Sequence, residues 1–177
     1  MLKLRIAVLA TALVSTGSMG TAPGMAAVLG PEAQACSAEA RRPAMLVKLT
    51  GLKARTGTIR VQSYGGDPAS FFDKGSYLKR IEVRPPASGT IEVCVPVARE
   101  GTYAVSVRHD LNGSGKSDMK DGGGMSGNPE LSMWDVVFKR KPDPAQVSVR
   151  VTNGVAVVPI TLRYLQGGSF KPVNREG

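Results

Sequence analysis

The stretch Thr58-Ile59-Arg60-Val61-Gln62-Ser63-Tyr64 alternates apolar with polar side chains and stops at Gly65-Gly66-Asp67-Pro68. A period of two places the apolar set on one face, so this segment is expected to be a strand with a single buried side. Runs of the same kind recur at residues 45–49, 78–83, 90–95, 103–109, 135–138, 147–151 and 155–162. The last two flank Asn153-Gly154, which predicts a two-residue hairpin, because a type I′ turn needs positive φ at both central positions. Residues 70–75 read as a helical turn or loop, with Phe71 and Phe72 capping the core. No helical period is found after the N-terminal segment. Seven to eight short strands separated by turns predict an all-β chain, a seven- to eight-stranded antiparallel β-sandwich over residues 44–166.

The ends of the chain read differently. Met1-Leu2-Lys3-Leu4-Arg5 is basic and is followed by an apolar run over 6–14 and then by small residues, the layout of a secretory signal peptide over residues 1–27. The run is shorter than the about 20 apolar residues a spanning helix needs. Cleavage is expected after Ala27, with Ala35 as the second option because Ala33-Gln34-Ala35 fits the small-x-small pattern. Residues 28–43, rich in Ala, Gly and Pro, read as a flexible linker, and 167–177 as a flexible polar tail. No later stretch approaches spanning length, so no transmembrane segment is expected. The predicted destination is the periplasm or the medium.

Export changes the reading of the two cysteines, Cys36 and Cys94. An even count in an oxidising compartment favours a bridge between them, which would tie the linker to the strand holding Cys94. The net charge is +9, and removing Lys3 and Arg5 leaves +7. The basic residues are scattered apart from Lys139-Arg140-Lys141, and aromatics are few. No nucleic-acid partner is expected, since such a surface concentrates its charge beside stacking rings. Contact with an envelope or surface polymer stays open.

One loop carries candidate chemistry, residues 110–121. Counted against the calcium pattern D-x-[DN]-x-[DN]-G, Asp110 fills place one, Asn112 place three, Ser114 place five and Gly115 the turn. Lys116 falls at place seven, where the ligand is a backbone carbonyl. Asp118 falls at nine and Asp121 at twelve. Calcium wants six to eight oxygens, and alternate residues of a tight loop turn theirs inward. Place twelve is Asp rather than the longer Glu, and Lys116 and Lys120 dilute the negative charge, so a Ca2+ site here would be weak. The same residues fit a long Asp/Asn/Gly turn that satisfies its own backbone. The spacing leaves both open.

Catalytic constellations are missing. His109 is the one histidine, and no G-x-S-x-G elbow is found. Gly122-Gly123-Gly124 lacks the Lys-Ser/Thr of a phosphate loop. A proton relay through His109 and Asp110 is the remaining enzymatic idea. Trp134 reads as core or as a loop plug.

The segments Gly57-Thr58-Ile59-Arg60-Val61, Phe72-Asp73-Lys74-Gly75 and Gly101-Thr102-Tyr103-Ala104-Val105-Ser106-Val107 occur in an order that resembles the bacterial family of exported proteins called DUF2141. The most specific piece is His109-Asp110-x-Asn112-Gly113-x-Gly115-Lys116-x-Asp118. The likeness extends over roughly residues 44 to 165. It implies a transthyretin-like (prealbumin-like) β-sandwich in the periplasm of a Gram-negative cell, and it makes the 110–118 loop a family feature. It brings no reaction or ligand. The chain departs from the family pattern after the loop, where Gly122–Gly124 and the residues up to Pro129 replace a longer aromatic and Asn-rich segment. The leading expectation is an exported, non-enzymatic β-module binding calcium through 110–121. The alternatives are a carbohydrate- or envelope-binding module and, third, an enzyme using His109 and Asp110.

Overall fold

A computed structural model describes residues 27–173. The signal peptide expected over residues 1–27 lies, but for Ala27, outside the described residues. Alternating burial builds two sheets that face each other. The smaller has the order β1 (Val28–Leu29), β5 (Ile91–Pro96), β2 (Ala44–Thr50) and β9 (Val155–Thr161). The larger runs β11 (Ser169–Pro172), β10 (Arg163–Gln166), β7 (Gly122–Met125), β6 (Gly101–Asp110), β3 (Thr58–Gly65) and β4 (Lys79–Val83), with β8 (Val149–Val151) beside the start of β6. Met45, Val47 and Leu49 from one sheet and Ile59, Val61, Val105 and Val107 from the other meet in one core. The all-β sandwich is therefore present, mostly antiparallel, with two parallel pairs at β1·β5 and β2·β9. The strand count exceeds the seven to eight expected, because two- to four-residue strands carry too few positions to show a period.

β6 organises the larger sheet. β3 pairs with it from Tyr103 to Asp110 on one side, while the other side is shared between β8 at residues 101–103 and β7 at 106–109. The gap at Val105 is filled by Ser126, which is fully buried. Its N–H donates to Val105 O at 2.9 Å. Its hydroxyl accepts from Val105 N–H at 3.0 Å and donates to Val147 O at 2.5 Å. One side chain thus replaces a missing strand residue and keeps the buried backbone paired.

Several expectations fail for identifiable reasons. Residues 135–138 are not a strand: α1 (Met133–Val137) is a short helix. Ser132 and Asp135 cap it reciprocally, with Asp135 N–H donating to Ser132 Oγ at 3.2 Å and Ser132 N–H to Asp135 Oδ2 at 2.8 Å. Residue 147 likewise ends a helix, α2 (Pro144–Val147), started by Asp143 as cap and Pro144. Asn153-Gly154 joins no hairpin, since β8 pairs with β6 and β9 with β2 in the opposite sheet. Gly154 alone takes positive φ (110°), and its carbonyl accepts from Ala44 N–H at 3.0 Å. The double positive φ occurs instead at Gly167 (58°) and Gly168 (82°), which turn β10 into β11. The expected tail therefore begins as a hairpin. The expected linker contains β1 and a 3₁₀ turn, Ala33–Cys36.

That turn is fastened by the disulfide Cys36–Cys94, with a Cα–Cα distance of 5.8 Å. Cys94 sits on β5 between the core-facing Val93 and Val95, so its own side chain leaves by the opposite face. The bridge lays the 3₁₀ turn over the outer side of the small sheet.

Candidate functional site

The candidate loop leaves the end of β6, whose last residues are anchored below the surface. His109 is fully buried. Its Nε2 lies 2.8 Å from Thr56 O, a group that only accepts, so Nε2 carries the proton. In the neutral ring Nδ1 is then the acceptor, and the Tyr164 hydroxyl donates to it at 2.6 Å. The same hydroxyl accepts from Lys53 N–H at 3.1 Å. Both ring nitrogens are engaged inside the fold, so His109 presents none to a substrate. The relay through His109 and Asp110 is not assembled. The histidine instead fixes the base of the loop.

Asp110 is nearly buried and collects the loop's amides. Oδ1 accepts from Ser114 N–H at 3.0 Å, Oδ2 from Gly115 N–H at 2.7 Å, and Arg108 Nη2 approaches Oδ2 at 3.2 Å. Arg108 also donates to Ser117 Oγ at 2.7 Å, while its Nε is buried without a hydrogen-bond partner. Asp121, also buried, closes the neck by accepting from Leu111 N–H at 3.2 Å and Asp118 N–H at 3.3 Å.

The outer part of the loop is exposed. Asp118 accepts from Lys120 N–H at 2.7 Å and from the Asn112 amide at 2.8 Å. The Lys120 N–H first, then the Asn112 side chain, hold the Asp118 carboxyl below its ordinary range. Asn112 Oδ1 accepts from Ser114 N–H, and Ser114 Oγ donates to the Lys116 carbonyl at 3.1 Å. All six expected ligand positions thus fall in one loop, but their oxygens are turned to the loop's own amides and, at the Lys116 carbonyl, to the Ser114 hydroxyl. Among the described residues no group of three or more His, Cys, Asp or Glu side chains is placed to hold a metal ion. A cation on Asp110 would share it with the Arg108 guanidinium.

Two features beyond the loop escaped the sequence reading. The first is the segment 122–124. Side chains alternate across a strand, and a Cβ on Gly122 would strike the Tyr164 ring, while one on Gly124 would lie 2.6 Å from Ile160 Cγ2. Gly123 faces the other way, where the nearest heavy atom to a Cβ would be Val107 O at 3.8 Å. That open space belongs to a cavity of about 410 Å³ on the outer face of the larger sheet. The second is Trp134, expected as core or as a loop plug and found 64 % exposed. It stacks on Phe138, ring centroids 5.8 Å apart, and Val137 and Phe138 are exposed as well. Lys139-Arg140-Lys141 follows at once.

The family described as an uncharacterized protein conserved in bacteria (DUF2141) matches residues 47–158. The chain belongs to that family. No curated protein and no solved structure matches the chain, so the transthyretin-like arrangement implied by the resemblance has no solved counterpart here. The DUF2141 match takes in Cys94, His109, the whole 110–121 loop, Gly122–Gly124 and Trp134. It ends before Arg163 and Tyr164 and begins after Cys36. Tyr164, the side-chain partner of His109, and the far wall of the cavity therefore lie outside the matched span.

Proposed function

We propose that the chain is an exported, non-enzymatic β-sandwich module that binds an anionic envelope surface through its 133–141 tip. One observation carries this reading: Trp134, Val137 and Phe138 are exposed together at the foot of a basic run. Aromatic rings with an adjoining cation suit an interface that is apolar on one side and charged on the other. Arg140 stands 5.5 Å over the Phe138 ring and near Asp135, and Lys141 is held to Asp73 at 2.9 Å. Lys139 makes no ion pair among the described residues, and it takes a positive φ (52°) just after the helix. The Cys36–Cys94 bridge supports export to the periplasm or medium, because such bridges persist in oxidising compartments.

Trp134 is the single tryptophan, so its emission reports the tip directly. Vesicles containing phosphatidylglycerol, or an acidic envelope polysaccharide, should shift that emission to the blue, and neutral phosphatidylcholine vesicles should not. Phe138→Ala with Lys139→Gln should remove the shift. No response to either anionic partner would refute the reading.

A second reading keeps calcium at the 110–121 loop. It draws on Asp110 and Asp121, places one and twelve of the pattern, which are the two buried carboxylates of the loop. Asn112, Ser114, the Lys116 carbonyl and Asp118 would supply the remaining oxygens.

A further inference from the structure

The cavity beside Gly123 is floored by one cross-strand row. Gly123 of β7 stands directly opposite Arg108 of β6 on one side and Arg163 of β10 on the other. Strands lie about 4.8 Å apart, so two arginine backbones flank a position that has no side chain. The walls are apolar: Met125 and Leu131 on one flank, Leu165 and Phe170 on the other. The acids that border the cavity are already engaged, Asp121 and Asp118 by the loop amides described above. Arg108 is shared with Asp110 and Ser117. Arg163 is half-buried and makes no ion pair or side-chain hydrogen bond among the described residues.

A half-buried guanidinium without a carboxylate, in a carbon-lined recess, is a preference for an anion with an apolar body. Charge-assisted hydrogen bonds to a carboxylate are about twice as strong as neutral ones, and Arg presents two parallel donors to it. The volume lies within the 300–1,000 Å³ range usual for small-molecule sites. We propose that this cavity binds a single-chain aliphatic carboxylate, its head on Arg163 over Gly123 and its chain against Leu165, Phe170, Met125 and Leu131. This site is separate from the 133–141 tip, and either can fail without the other.

The test is an NMR titration of the disulfide-bonded protein with decanoate below its micellar range, against decanol and acetate. Decanoate should shift the amides of Gly123, Arg163 and Leu165 and bind at least ten-fold more tightly than decanol, with acetate weaker than both. Arg163→Gln should make decanoate and decanol equal. Gly123→Leu should abolish both, because the side chain enters the recess and meets no atom of the fold within 3.8 Å at its Cβ. Should that variant fail to fold, the Arg163→Gln comparison still decides. Equal affinity of decanol and decanoate in the unaltered protein, or no shift at Gly123 with either, would overturn the proposal.

Discussion

Tyr164→Phe isolates one hydroxyl at the base of the loop. The ring is retained, so its packing beneath Gly122 and its edge-on contact with His109 (5.9 Å between centroids) are unchanged. What disappears is the donor to His109 Nδ1 and one acceptor of Lys53 N–H. His109 is fully buried, so water does not replace that donor. A buried polar atom left without its partner costs about 1–3 kcal/mol, which sets the expected loss at about 2 kcal/mol. For a chain of this size that is a fall in Tm of about 4–8 °C.

Tyr103→Phe is the matched control. Its hydroxyl donates at 2.7 Å to the carbonyl of Arg99, an exposed residue, where water can take over. The expected cost there is about 1 kcal/mol or less. Urea unfolding of the two variants and the parent measures both, with an unchanged slope required for comparison. Long-range proton–nitrogen NMR of His109 should show the proton on Nε2 in the parent. A Tyr164→Phe cost no larger than that of Tyr103→Phe, or a proton found on Nδ1, would refute the network as drawn.

The disulfide and the loop give two further tests. Cys36 and Cys94 are 58 residues apart, and closing a loop of that length is worth about 4 kcal/mol in the chain-entropy model. The Cys36→Ala, Cys94→Ala protein should therefore unfold at a clearly lower urea concentration than the oxidised form, and coincident midpoints would sink the estimate. For the calcium reading, millimolar Ca2+ should raise Tm over a chelated sample by the mass-action relation, and Asp110→Asn should remove the rise. A flat response in the unaltered protein removes that reading.

How far the fold was legible follows from strand length. Residues 58–64 and 103–109 could be read because each repeats its alternation often enough to fix a face, and they became the paired centre of the larger sheet. β1 and β11 have two and four residues, and what makes them strands is a neighbour's edge rather than their own pattern. Asn153-Gly154 misled for a related reason. A turn signal states how the chain bends but not which sheet receives the next strand, and here the following strand is taken by β2. The helix at 133–137 did carry a local sign, Ser132 three residues before Asp135, and the neighbouring Val136 and Phe138 drew attention to a strand period instead.

The site was legible as a loop and obscure as a surface. Spacing alone brought Asp110, Asn112, Ser114, Asp118 and Asp121 together, yet it could not show which oxygens the loop would spend on itself. That depends on backbone amides such as Ser114 and Gly115, which have no signature in sequence. The triple glycine is the opposite case. As letters, Gly122, Gly123 and Gly124 look like one flexible stretch. In the sheet, two of them are small because Tyr164 and Ile160 press on them from the core, and the middle one is small over open space. Core packing does not require glycine at 123, and neither does its φ, which is not positive. The constraint left to account for it is the recess between Arg108 and Arg163, so a side chain there is expected to cost the protein its ligand before it costs stability.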